Sequence, residues 1–139
     1  MENVKVKINT TQTIDDAGNE DVIELVTEAT LEKSEDCFVI NYDESTITEQ
    51  ERSRTRLKIY KNKMLMTKVG VFSSKMEFEE GLSYSNLYST PYGTFDLDFT
   101  TVLYRNNLDE RGRGNVYIEY KVMFSNSEES YNKLNIDII

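Results

Sequence analysis

The chain has 139 residues and a net charge of −9, from 25 acidic and 16 basic side chains, with one cysteine, one proline and neither histidine nor tryptophan. An acidic balance works against the phosphate neutralisation that drives non-specific nucleic-acid binding and against adsorption to anionic membranes. A lone thiol forms no intrachain disulfide or structural zinc site, and the missing imidazole removes the usual general base and the usual zinc and haem ligand.

In chain order, Val4, Val6 and Ile8 alternate with lysines, a period of two that predicts a first strand. The acidic stretch Asp15–Asp21 reads as a turn. It holds a central glycine but lacks the register of a calcium loop and its closing glutamate. Ile23, Leu25, Thr27, Ala29 and Leu31 then share one face of a long second strand with acidic residues on the other, and residues 37–42 form a more apolar third. After a polar loop over residues 43–52, Arg54, Arg56 and Lys58 give a fourth strand a basic face. Its electrostatic reading is an anion patch. Its structural reading, cross-strand pairing with the acidic Glu24, Glu28 and Glu32 face, is favoured.

Lys61-Asn62 reads as a two-residue turn into a fifth strand over residues 64–70, and residues 75–80 form a sixth that ends at Gly81. Residues 83–90 form a further strand before the corner Thr90-Pro91-Tyr92-Gly93, where proline fixes φ and glycine permits positive φ. Beyond it Phe95, Leu97, Phe99, Thr101 and Leu103 alternate with Thr94, Asp96, Asp98 and Thr100. A glycine-containing turn, Asn106–Gly114, leads to Val116–Phe124, and a polar turn at 125–130 leads to a last strand carrying Leu134, Ile136 and Ile138. Arg111-Gly112-Arg113-Gly114 looks like a fragment of an RNA-binding tract, but a single copy in an acidic chain reads as a hairpin turn.

No segment has a helical period. Eight to ten short strands with polar turns predict one all-β, mostly antiparallel domain over residues 1–139. A long meander with unguarded end strands favours closure into a barrel. There is no apolar leader core and no run of about 18 apolar residues, so a soluble cytoplasmic protein is expected.

Asn41-Tyr42-Asp43-Glu44-Ser45, Met76–Gly81, Tyr88-Ser89-Thr90-Pro91-Tyr92-Gly93, Val116–Tyr120 and Asn135–Ile138 follow one another in an order and spacing that resembles the YwiB-like family of bacterial β-barrel proteins of unknown function. The resemblance spans nearly the whole chain. It implies a calycin-type, lipocalin-like antiparallel barrel and brings no activity, cofactor or catalytic residue. Where that family tends to carry an arginine before the glycine of the fifth strand, this chain has Lys68-Val69-Gly70. Lysine keeps the charge and loses the bidentate fork.

Glu44 follows Phe38, Ile40 and Tyr42 in phase, and Lys68 follows Met64 and Met66. If these faces line the interior, Glu44 and Lys68 meet near a barrel mouth, because an unpaired buried charge is very costly. The functional reading is a polar anchor for a small ligand, with Tyr42, Tyr88, Tyr92 and Tyr120 supplying hydroxyls. The structural reading is a self-satisfied ion pair or two solvated side chains. Asp96 and Asp98 fall on the wet face, away from any paired-carboxylate cleft with Glu119, and Cys37 in an apolar strand reads as a small hydrophobe. Neither nucleotide-binding glycine motif is present. The expectation is a non-enzymatic, cofactor-free barrel for a small apolar or amphipathic ligand. The alternative is a filled barrel that binds a protein partner or a second copy through its outer faces. A cavity or an exposed apolar patch decides between them.

Overall fold

Alternation of apolar and polar residues builds a single curled antiparallel sheet. The computed structural model describes residues 1–13, 20–44, 53–70, 74–90, 92–124 and 129–139. Among them are ten strands and no helix: β1 Glu2–Thr13, β2 Glu20–Lys33, β3 Cys37–Glu44, β4 Ser53–Tyr60, β5 Lys63–Gly70, β6 Ser74–Glu79, β7 Ser83–Thr90, β8 Gly93–Leu108, β9 Gly114–Phe124 and β10 Glu129–Ile138. The sheet order is β6-β5-β4-β3-β2-β1-β10-β9-β8-β7. Each strand thus lies beside its neighbour in sequence, and the first strand pairs with the last. The single break in this circuit falls between β6 and β7, which form the two ends of the hydrogen-bonded order.

The curl brings those ends together at the β6–β7 turn, where the Gly81 N–H donates to the Thr101 carbonyl (2.9 Å) and the Thr101 N–H to that of Leu82 (3.0 Å). A second clasp lies beside it. The Tyr104 hydroxyl reaches the carbonyls of Tyr60 (2.8 Å) and Lys63 (3.0 Å), and Asn106 Nδ2 donates to the same Tyr60 carbonyl (3.0 Å). These bonds tie β8 to the β4–β5 turn across the barrel. Tyr104→Phe removes the hydroxyl and leaves Asn106 in place, so a loss of about 0.5–1.5 kcal/mol is expected in urea-induced unfolding.

The core is the inner face of this curl. Val6, Ile40, Leu57, Ile59, Met64, Val116, Ile118 and Ile136 are fully or almost fully buried. Phe78 of β6 meets Tyr120 of β9 edge-on with ring centroids 5.0 Å apart, so the two halves touch through the middle. The β8–β9 turn is built by its backbone. Asp109 Oδ1 accepts N–H bonds from Arg111 (2.8 Å) and Arg113 (3.0 Å), which hold its carboxyl below the usual range. Gly112 (φ +80°) and Gly114 (φ +135°) occupy positions that L side chains avoid, and a Cβ on Gly114 would collide with the Asn107 carbonyl oxygen. The arginine–glycine pair therefore serves this turn.

Three expectations need correction. A bulge between Thr101 and Leu103 shifts the β8–β9 register. Leu103 therefore leaves the inward row, and Tyr104 and Leu108 take it over, packing against the core. Ile23 keeps its inward phase opposite Thr10 but is 58% exposed, because β1 and β2 run past the end of the core. The basic face of β4 does not meet β2, since β4 lies between β3 and β5. Arg54 Nε pairs with Asp43 (3.3 Å), Arg56 Nε donates to Asn41 Oδ1 (3.0 Å), and Glu24 pairs with Lys7 (3.9 Å). The Asp15–Asp21 turn lies mostly outside the described residues, as do Pro91, most of the 43–52 loop and residues 125–128. No helix among the described residues is long and apolar enough to cross a membrane.

A candidate ligand cleft at the β6–β7 seam

Because β6 and β7 form no ladder, the wall opens beyond the turn that joins them. A cleft of about 270 Å³ enters the interior there. Met76 of β6 and Leu87 of β7 flank it, while Leu97 and Phe99 of β8 and Val122 of β9 give it an apolar wall. Tyr84 stands in the seam. Its ring stacks on Phe99 (centroids 5.4 Å), and its hydroxyl accepts the N–H of Glu77 from β6 (2.6 Å). Burial raises the Tyr84 pKa, against the opposing effect of that bond.

The inner end of the cleft is polar. Gln12, Asn132, Tyr120 and Thr101 face one another across β1, β10, β9 and β8 in one cross-strand row. Asn132 is 5% exposed and Tyr120 8%, yet Gln12, Asn132 and Tyr120 all line the cleft. Asn132 Nδ2 donates to Ser130 Oγ (3.2 Å). Burial pushes the Tyr120 hydroxyl up to about 12, with the nearby Tyr84 adding to the shift. Buried polar groups normally carry hydrogen bonds. A row of amide and hydroxyl groups at the end of an apolar cleft can therefore accept and orient one polar group of a guest.

The charged residues among the described lining are Lys68 and Lys75. Lys68 continues the inward row of Met64 and Met66, half-buried, as its phase predicts. The other sequence candidates scatter. Tyr42 is buried in the core and reaches an outer groove beside Arg54 and Arg56. Tyr92 is 88% exposed near the β7–β8 turn. Tyr88 pairs with Phe95 through its backbone, and its side chain lies outside the description, as does that of Glu44. The register sets Lys68 in the row of Thr55 and Tyr42, whereas Glu44 stands one step further along, in the row of Ser53 and Gly70.

Of the six candidates, Lys68 and Tyr120 line the cleft. Sequence reasoning missed Asn132, Gln12, Ser130 and Lys75. A signal for the first was present. Leu134, Ile136 and Ile138 extend backwards in phase to Asn132, and a polar residue inside an apolar row marks an interior hydrogen-bonding position. Two larger grooves, of about 480 and 460 Å³, run over the surface beside Arg54 and Arg56 and beside Phe38 and Asp109. Both carry acidic and basic side chains together, and neither reaches the Tyr120–Asn132 row.

No curated protein matches the chain. Among solved structures, the crystal structure of the ywiB protein from Bacillus subtilis superposes with a TM-score of 0.70, covering 97% of this chain and 92% of that one at 18% identity. At that identity the likeness shows a shared fold. The family model described as "Domain of unknown function (DUF1934)" matches residues 6–136. That span takes in nearly all of the curled sheet, and the chain accordingly belongs to the DUF1934 family, as a YwiB-like domain of unknown function.

Proposed function

We propose that this protein is a non-enzymatic, cytoplasmic binding barrel whose seam cleft takes up a small apolar or amphipathic molecule. The observation that carries the reading is the pairing of an apolar wall, Leu97, Phe99 and Val122, with the deeply buried polar groups of Tyr120 and Asn132 at one cleft. Apolar pockets with a few convergent polar groups are the usual form of small-molecule sites. The charge of −9 supports a small-molecule partner over nucleic acid or an anionic membrane, and the single thiol suits a reducing compartment.

Calorimetric titration with octanol and octanoate tests the reading. Saturable binding of one molecule is expected, and Leu97→Trp, which fills the cleft from a half-buried position, is expected to abolish it while the barrel stays folded. Absence of saturable binding by both compounds, or unchanged binding to Leu97→Trp, would overturn it.

A second reading, docking of a protein partner or another copy, has one observation in its favour. Val22 and Val26, on the outer face of β2, are each half or more exposed. Native mass spectrometry of protein from its source cell separates the two, by the mass of what stays bound.

A further inference from the structure

We infer that the seam cleft selects short, neutral amphiphiles that enter polar end first, with an alcohol, amide or carbonyl group seated at the Tyr120–Asn132 row and the chain running back toward the mouth. The inference rests on the ligand-binding reading above and adds to it the kind of head group, its direction and a limit of length.

The head group follows from where the polar residues stand. Gln12, Asn132, Tyr120 and Thr101 are neighbours across β1, β10, β9 and β8, in one row of the inner face. The row on one side holds Leu134, Ile118 and Tyr104, and the row on the other Ser130, Val122, Phe99 and Tyr84. Leu134 and Ile118 are buried, and Val122 and Phe99 pack with the same core. A band of amide and hydroxyl groups thus crosses the interior between largely apolar neighbours, and the cleft reaches it at Gln12, Tyr120 and Asn132. Tyr120 and Asn132 are both more than nine-tenths buried. The Tyr120 ring is held by Phe78 at 5.0 Å and by Phe99 at 6.5 Å, so its hydroxyl is set in place before a guest arrives. Such groups exchange hydrogen bonds with a neutral head. They carry no net charge, so a charged head would leave water without a counter-charge from them. Lys68 and Lys75 also line the cleft, but each has an interaction of its own. The selective groups are therefore those of the inner row.

Direction and length follow from the shape. Met76 and Leu87 flank the opening, and Phe99 and Val122, in the row beside the polar band, continue with Leu97 as the apolar wall. A chain lying along that wall with its head at the band points its far end at the opening. A cavity of about 150 Å³ holds benzene, and this one is about 270 Å³. It is filled by about eight to ten carbons, and methylenes beyond that emerge into water.

The experiment titrates the folded protein with butanol, octanol, decanol and dodecanol, and with 1-chlorooctane, octanoate and octylammonium. Alcohol affinity is expected to rise about three- to fourfold per methylene up to octanol or decanol and then to level off. Octanoate and octylammonium should both bind more weakly than octanol. Tyr120→Phe keeps the ring and removes the hydroxyl. It should weaken octanol about five- to tenfold and leave 1-chlorooctane, which has no hydroxyl to seat, unchanged. Asn132→Leu should act in the same direction. Octanol affinity untouched in both variants would overturn the seating of the head, and so would an equal loss of octanol and 1-chlorooctane, the mark of a merely structural role. Either charged compound binding as tightly as octanol would overturn the choice of a neutral head. A further full gain from decanol to dodecanol would overturn the length limit. Saturable binding by none of the compounds would instead count against the ligand reading itself.

Discussion

Replacing Phe78 by alanine is expected to lower stability by about 3–5 kcal/mol, seen as a fall in the urea midpoint without a change in slope. Phe78 is 1% exposed and stacks edge-on against Tyr120 at 5.0 Å. It sits on β6, which has a ladder to β5 on one side and none to β7 on the other. The ring thus ties an end strand to the far wall through the middle of the core. Its loss leaves a cavity that the sheet cannot close without breaking the β5–β6 register. A domain with a total stability of roughly 5–15 kcal/mol would lose a large share of it. Phe78→Leu keeps most of the volume and should cost well under half as much. A loss below about 1 kcal/mol for the alanine variant would mean that the two halves do not pack through this ring.

Alkaline pH is expected to unfold the protein in a step governed by buried tyrosines. Burial pushes Tyr120 up to about 12 and also drives Tyr104 and Tyr84 upward. An unfolded tyrosine ionises near ~10. The folded state therefore holds these protons more tightly than the unfolded state does. Their stabilising contribution is whole below pH ~10 and is lost as pH rises through the folded values. At about 1.4 kcal/mol per pKa unit, Tyr120 alone accounts for roughly 2–3 kcal/mol of loss between pH ~10 and 12. Tyr104, with its hydroxyl in the clasp to β4–β5, steepens the decline. Denaturant unfolding at stepped pH, followed in parallel by tyrosinate absorbance, measures both. Tyr120→Phe should flatten the decline in that window. An unchanged decline in that variant would show that Tyr120 titrates like an exposed phenol and that the inner end of the cleft is wet.

The proposed uptake of a guest at the seam would bear on the same residues. A guest that covers Tyr120 keeps its hydroxyl from water, so octanoate should move the alkaline transition upward through mass action on the folded state. The cleft and the core are continuous here. Phe99 packs in the core cluster and also lines the cleft wall.

Much of the architecture was written in side-chain periodicity. Val4-Val6-Ile8, Met64-Met66-Lys68 and Leu134-Ile136-Ile138 point inward as their spacing says, because a strand has two faces and water selects which residues take each. The turns at Lys61-Asn62 and Gly81 were legible for an equally local reason, in residues that permit their backbone angles, and so was the one within Asn106–Gly114, although β8 runs on to Leu108 and the turn itself takes up only residues 109–113. The site was less so. Tyr42, Tyr92 and Lys68 share phase or residue type, yet only Lys68 reaches the cleft. Which inward residues stand opposite one another depends on register between strands far apart in sequence. The β8 bulge shows how small a cause matters, since one extra residue at Val102 moves every following side chain to the other face.

Alternation along the chain was enough to specify eight to ten strands, most of their inner faces and an all-β sheet, since burial of one face is a property each strand carries alone. Where the circuit fails to close, and therefore where the cleft opens, emerged only when the strands were assembled. β6 and β7 are joined by a tight turn, and an ordinary hairpin would have zipped them together. Instead the turn spends its hydrogen bonds on Thr101 of β8, and Tyr84 takes the Glu77 N–H that a ladder would have used. Competition among non-local partners for the same backbone groups opened the wall, and no stretch of sequence contains that competition by itself.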